Sequence, residues 1–290
     1  MPPRRDASAS LHGRPRGARR RGRGGTRGER PGIHRLSGIH CVREALLAGR
    51  RELLRLWVDE QAARGGDVAA LCERAAAMGL PVTAVAADDL VARLDPSARR
   101  SNPQGLVLEA GPLPEPTLEE LLEGAASDDF CLVVLDGVED PQNVGAIARV
   151  AEAAGADGLV LGSRRAPPIG PAAARASAGA VEWLPIARVP NLSRALDQLQ
   201  AAGLWVVGAQ VEAPTSLFEV PERILRGPLA VLMGAEGKGL REGVQRRVDH
   251  PVSIPMAGHV GSLNVATATA VVLFELVRRR AARSAGDASQ

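Results

Sequence analysis

The sequence predicts an α/β protein: a mostly parallel sheet covered by helices on both faces, preceded by a smaller α/β unit. Three observations carry this. Continuous apolar runs of strand length recur after residue 130, as in strands buried on both faces. Stretches with helical spacing alternate with those runs, and two of them close on glycine. The proline-dense segment Gly111-Pro112-Leu113-Pro114-Glu115-Pro116 marks a stiff boundary between the two units.

Residues 1–32 come first, and within residues 1–30 ten arginines stand against two acids, Asp6 and Glu29, a net +8. Such a segment cannot bury enough apolar surface to fold alone and is expected to be disordered. It suits a phosphate backbone, or it is a solvated extension with no dedicated partner. The whole chain carries +3, so the remainder carries −5.

A small α/β domain is expected over 33–110. Val42 to Leu47 reads as a short amphipathic helix, Leu53 to Val58 as a strand, and Asp67 to Met78 as a helix. Pro81 to Val85 and Leu106 to Leu108 read as strands, the second following the turn Asn102-Pro103-Gln104-Gly105. Residues 111–127 are expected to be a linker, with a short helix at Leu118 to Leu122.

The second domain is expected over 128–283, with a disordered tail at 284–290. Cys131 to Leu135, Gly158 to Leu161, Leu204 to Val207 and Leu229 to Met233 read as buried strands. Val144 to Ala154 is a helix stopped at Gly155, and Leu192 to Ala202 a helix closed by Gly203. Val265 to Arg280 is a long apolar helix whose terminal Arg278-Arg279-Arg280 complements the helix dipole. Ligands in such sheets bind beyond the carboxyl ends of the strands.

Composition narrows the function. No apolar run approaches a bilayer span. The N-terminus lacks the apolar stretch of a secretory signal, and its Gly and Pro content makes a poor transit helix, which favours a cytoplasmic protein. Cys41, Cys72 and Cys131 are scattered, and the five histidines show no ligand spacing, so neither disulfides nor a metal site is expected. One lysine, Lys238, stands against thirty-five arginines, and there is no tyrosine; high-GC codon bias accounts for that skew.

Three clusters carry candidate chemistry. In Asp136-Gly137-Val138-Glu139-Asp140-Pro141-Gln142-Asn143-Val144-Gly145-Ala146-Ile147-Ala148-Arg149, a buried strand turns into a helix. Asn143 and Arg149 could both reach a ligand at its N-terminal end, or Asn143 could cap the helix and Arg149 lie in solvent. In Leu232-Met233-Gly234-Ala235-Glu236-Gly237-Lys238-Gly239, three glycines after a buried strand permit close backbone approach to a ligand. This segment fits neither the phosphate-loop nor the dinucleotide glycine pattern, which disfavours a nucleotide-dependent enzyme. In Ile254-Pro255-Met256-Ala257-Gly258-His259-Val260-Gly261-Ser262-Leu263-Asn264-Val265-Ala266, a strand leads through a loop into the last helix. There Ser262 is the expected N-cap and Asn264 is expected in the first turn.

In this order and spacing the three clusters resemble the motifs of the SpoU (TrmH-type) family of RNA 2′-O-ribose methyltransferases, in the SPOUT superfamily. The resemblance covers residues 130–280 and extends more faintly to 36–110, similar to that family's small substrate-binding domain. It implies a SPOUT fold with a C-terminal trefoil knot, a homodimer, and S-adenosyl-L-methionine as cofactor. Carried over by position, it implies cofactor contacts at Gly234, Ile254 and Leu263, with Leu232, Met233, Met256 and Ala266 nearby. Arg149, Asn143, Glu236, Ser262 and Asn264 become the catalytic set. Free guanidinium has a pKa above about 12, so Arg149 is expected to bind phosphate and stabilise a developing alkoxide rather than act as a base. The others position Arg149, the ribose and the cofactor. Lys238 is expected to touch RNA phosphate. Pro103 stands where many relatives carry His, and His259 receives no role.

The resemblance is greatest to the branch acting on a guanosine of large-subunit (23S) rRNA. A transfer-RNA enzyme of the same family and a non-catalytic RNA-binding assembly factor are the alternatives.

Overall fold

The computed structural model describes residues 32–164 and 166–287, without the side chains of Ser97 and residues 283–287. The arginine-rich segment at 1–31 lies outside the described residues, as do 288–290.

The first half forms β1 (His34–Ser37), α1 (Ile39–Ala48), β2 (Leu53–Asp59), α2 (Gly66–Ala77), β3 (Val82–Val85), α3 (Ala87–Ala92) and β4 (Leu106–Ala110). Its four strands lie in the order β1-β4-β2-β3. β4 runs antiparallel to both β1 and β2, while β2 and β3 are parallel. Alternation along β2 divides its side chains: Leu56 and Val58 join the core that also holds Cys41 and Leu46 of α1 and Leu71 of α2. Trp57 faces the other way, against Leu90 and Leu94. α4 (Leu118–Leu122) follows in the proline-rich connection, started by a capping box of Thr117 and Glu120.

The second half forms β5 (Cys131–Asp136), α5 (Pro141–Ala153), β6 (Gly158–Gly162), α6 (Pro171–Ala176), β7 (Ile186–Val189), α7 (Leu192–Ala201) and β8 (Trp205–Ala209). Then come β9 (Thr215–Ser216), α8 (Glu222–Leu225), β10 (Leu229–Gly234), α9 (Glu242–Gln245), β11 (His250–Ser253) and α10 (Val265–Asp287). The sheet order is β7-β6-β5-β10-β8-β11-β9, and each of its pairings is parallel. β5 is buried along its whole length. Its Cys131, Val133 and Leu135 share a core with Ile147 of α5 and Leu276 of α10. Leu132 and Val134 face Leu196 and Leu199 of α7 instead. Both faces are covered, as the continuous apolar runs require.

Several boundaries differ from expectation. α5 starts at Pro141, because Asp140 accepts from Gln142 N at 2.9 Å and proline occupies the first helical position. β7 and the short helices α3, α6, α8 and α9 did not announce themselves in the periodicity. α10 continues to Asp287, into the stretch expected to be a disordered tail. Arg278 and Arg279 therefore lie inside it and bond Glu275 rather than the helix end. Those bonds, Arg278 first, hold the Glu275 carboxyl down at about 2. Arg279 also donates to the carbonyls of Leu217, Phe218 and Val220, tying that segment to α10.

Candidate active site

The carboxyl ends of β5 and β10 are level, since Asp136 and Gly234 are register partners. The end of β8 lies on the other side of β10, and Ala209 is level with Val252 of β11. Past these ends lies a pocket of about 550 Å3. Ala209, Gln210 and Val211 line it after β8, Met233 to Gly237 and Gly239 after β10, and Ile254 and Met256 after β11. Gly261 to Val265 and Ala268 complete it at the start of α10. Much of this wall is loop and glycine backbone, which supplies N–H and C=O groups to a polar ligand.

The glycine loop is closed tightly. Ala235 and Gly239 exchange backbone hydrogen bonds at 3.2 and 2.9 Å. A Cβ on Gly234 would stand 2.5 Å from the carbonyl carbon of Gly239 and 2.7 Å from Leu240 N, so only glycine fits there. At the base of the loop, the buried Asp136 carboxylate accepts from Arg241 N at 2.8 Å and Arg241 Nε at 2.6 Å. β5 thus clamps the end of the loop that follows β10.

Three expected residues meet beside the pocket. Asn264 Nδ2 donates to Asn143 Oδ1 at 3.0 Å and to Glu236 Oε1. Glu236 Oε1 also accepts from Val265 N at 3.4 Å. Asn264 Oδ1 accepts from Ala266 N at 2.9 Å and Thr267 N at 3.3 Å. Asn264, not Ser262, is therefore the N-cap of α10, and it stands outside the first turn rather than within it. Ser262 lines the pocket. Asn143 is no cap either: Asp140 has that task, which leaves the Asn143 amide to bond Asn264.

Other expected residues stand apart. Arg149 is exposed on α5, six residues beyond Asn143, a third of a turn round the helix and about 9 Å further along it. It does not line the pocket. Gly234, Ile254, Leu263, Met233 and Met256 do line it, but Leu232 and Ala266 do not. Strand alternation explains Leu232: it points into the α7 layer, opposite Met233. Lys238 is exposed at the tip of the glycine loop. Gly145 serves packing, since a Cβ there would lie 2.6 Å from Ala173 O of α6. The β8 end, Ala209 to Val211, and the Asp136–Arg241 clamp carry no motif in the sequence; their one signal is that β8 is a buried strand, whose carboxyl end joins the ligand edge. Among the described residues no group of three or more His, Cys, Asp or Glu is placed to hold a metal.

A parallel, doubly covered sheet with a backbone-lined pocket at its carboxyl edge defines an α/β ligand-binding domain. The SpoU rRNA methylase family model matches residues 131–274, and the model for RNA 2′-O ribose methyltransferase substrate binding matches 35–116. The chain belongs to the SpoU rRNA methylase family. It is 37% identical over 251 residues to the 23S rRNA (guanosine-2′-O-)-methyltransferase RlmB of Pseudomonas putida, covering 86% of this chain and 97% of that protein. It is 38% identical over 246 residues to RlmB of Shewanella oneidensis, covering 84% and 96%. Among solved structures it resembles the SpoU methyltransferase AviRb from Streptomyces viridochromogenes in complex with the cofactor AdoMet. That match has a TM-score of 0.71 at 27% identity, over 87% of this chain and 92% of AviRb. An AdoMet-bound rRNA methyltransferase from Sinorhizobium meliloti gives a TM-score of 0.69 at 29% identity, over 85% and 87%.

Proposed function

We propose that this protein transfers the methyl group of S-adenosylmethionine to the ribose 2′-hydroxyl of a guanosine in 23S rRNA. The observation that carries the reading is the meeting of Asn143, Glu236 and Asn264, one from each motif, at the edge of a backbone-lined pocket. The names of the full-length relatives supply the guanosine and the 23S rRNA.

The pocket residues fit the cofactor. Its volume suits a nucleoside-sized ligand, and Gly234 keeps the loop wall close and free of side chains. When bound there, S-adenosylmethionine supplies an electrophilic methyl on a sulfonium. The backbone of 234–239 and 261–264, with Ile254, Leu263 and Met256, would hold it. The Asn143–Asn264–Glu236 hub fixes the loop before α10 against the glycine loop, so alignment of the acceptor is set by groups already bonded to each other. Ser262 is exposed on that wall and free to orient the ribose. Arg149 holds RNA phosphate and stabilises charge developing on the 2′-oxygen.

The finer architecture belongs to the same reading. The reading includes a trefoil knot over 128–283, as in the family the chain belongs to, and Asn264 bonds Asn143 in the first turn of α5 and Glu236 in the loop after β10. Residues 33–110 bind RNA, and 111–127 connect the two parts. Phe274 on α10 and Phe218 beside it are half exposed, which supports a homodimer through α10. A cytoplasmic location belongs to the same reading and is supported by the ribosomal RNA substrate that the relatives' names carry. Among the described residues no helix is long and apolar enough to cross a membrane.

Methyl transfer from radiolabelled S-adenosylmethionine to in vitro-transcribed 23S rRNA tests this, with Arg149→Ala and Asn143→Ala beside wild type. Label on a ribose 2′-oxygen is expected for wild type, with Arg149→Ala losing transfer by about 100-fold or more while still binding cofactor. Label on transfer RNA alone would make the protein a transfer-RNA enzyme, and cofactor binding without label on transfer RNA, rRNA or ribosomal particles would make it an assembly factor.

A further inference from the structure

The RNA-binding and methyl-transfer units are joined by a proline-rich connection, yet the structure does not leave them on a tether. Arg51, in the turn between α1 and β2, reaches Glu182, in the 3-10 turn Ala180–Glu182 that precedes β7. Arg51 Nε donates to Glu182 Oε2 at 2.7 Å and its Nη2 to Oε1 at 2.8 Å. Both side chains are 0% exposed. The remaining guanidinium nitrogen donates to Gly111 O at 3.1 Å and lies 3.0 Å from His34 Nδ1. Arg50 Nη1 adds a bond to Glu182 O at 3.2 Å. Every polar atom of this pair therefore points in a fixed direction, a use of buried ions that fixes geometry more than it adds stability.

The seam around the pair is equally specific. Arg175 Nη2 donates to Ser37 Oγ at 2.8 Å, and Trp183 Nε1 to Glu44 Oε2 at 2.9 Å. Gly179, at φ +92°, lets α1 approach so closely that a Cβ there would lie 2.6 Å from Glu44 Cβ. Ala178 beside it holds φ +52°, an uncommon conformation for a residue with a side chain. One hydrophobic cluster runs unbroken across the seam, from Leu36 and Val42 through Val181 and Leu184 to Ile147.

We propose that Arg51 and Glu182 are positioning residues that determine which nucleotide reaches the pocket, by holding the RNA-binding unit at one fixed orientation to the methyl-transfer site. This rests on the functional reading above. RNA gripped by residues 33–110 then presents only the ribose lying at a set offset from the grip, so the pair contributes to substrate selection without touching substrate. Releasing it leaves both binding sites intact and dilutes the competent orientation among others.

The test is the double substitution Arg51→Met/Glu182→Leu, which keeps the buried volume but removes the directional bonds. Glu182→Gln is the milder second variant, should the double one fold poorly. Spin labels are placed at Glu73→Cys and Glu152→Cys, both exposed, in a Cys72→Ser background. Cys41 and Cys131 are buried with their thiols pushed up to about 12, and they escape labelling. Expected are a narrow label-to-label distance distribution in wild type, unchanged by 23S rRNA, and a broad one in the variant. KM for 23S rRNA should rise about tenfold if the competent orientation falls to about a tenth of the population, with the dissociation constant for S-adenosylmethionine and the melting temperature unmoved. A broad or RNA-shifted distribution in wild type, or an unchanged KM in a variant whose distribution has broadened, overturns the proposal. Wild-type protein that leaves 23S rRNA unlabelled overturns the functional reading instead, and the distance distributions still decide whether the lock exists.

Discussion

Gly234→Ala separates backbone-built binding from side-chain chemistry. The added methyl would meet Gly239 C at 2.5 Å, Gly239 O at 2.7 Å and Leu240 N at 2.7 Å. All three are backbone, so no rotamer change relieves the clash; the loop must open. Opening it strains or breaks the two Ala235–Gly239 hydrogen bonds, worth about 1 kcal/mol each. Overpacking of this kind costs about 1–3 kcal/mol. If that distortion falls on the pocket wall, cofactor affinity drops about 5- to 150-fold at about 1.4 kcal/mol per tenfold. Titration calorimetry with S-adenosylmethionine measures it. Gly258→Ala is the control, because its Cβ meets nothing within 4 Å and its φ is ordinary. Unchanged cofactor affinity in a folded Gly234→Ala protein would refute the reasoning, and with it the assignment of the 234–239 backbone as a binding wall.

Two further outcomes follow from the electrostatics. Asp136→Asn removes the carboxylate that holds Arg241 N and Nε, bonds to a charged group worth about 1.5–3 kcal/mol when buried; the exposed half of the guanidinium discounts this. A lower denaturation midpoint and weaker cofactor binding are expected, and wild-type values in both would show that the clamp is idle. The His34 pKa is lowered by burial first and by Arg51 second, against a smaller upward pull from Asp95. Arginine only donates, so His34 Nδ1 must be the acceptor, which needs a neutral ring. A depressed folded pKa gives stability that is present above the ordinary value of 6.5 and lost as pH falls below it toward the folded value. Urea melts between pH 7.5 and 5 should show that loss in wild type and a flatter profile in His34→Gln; parallel profiles would refute it.

Much of the larger sheet was legible because burial on both faces leaves an unmistakable apolar run, as in Cys131 to Leu135 and Leu229 to Met233. β7 was not, because Ile186-Ala187-Arg188-Val189 is a short edge strand with a charge in it. The start of α5 was written in Asp140-Pro141, an N-cap followed by the residue best suited to the first helical position, but the apolar periodicity begins only at Val144. The hub was legible as types rather than as geometry: Asn143, Glu236 and Asn264 stood out, but their shared hydrogen bonds join parts 121 and 28 residues apart. Capping assignments failed where two candidates competed, Ser262 against Asn264, because the choice depends on where the preceding loop is anchored. Arg51 and Glu182 carried no local signal at all. A charged residue destined for burial looks like any other until its partner, 131 residues away, is known.

The order of the strands also governs when the site can come into being. β5 leaves the ribosome long before β10, yet β10 is the strand that fills the place between β5 and β8. Until it arrives, β5 has one bare edge, and its Asp136 waits for an arginine 105 residues downstream. Assembly dominated by such distant partners is slow and leaves apolar strands open to wrong pairings. The first sheet has all its strands by residue 110 and can close earlier. A nascent chain thus holds every strand of its first sheet while the edge that builds the pocket is still being synthesised.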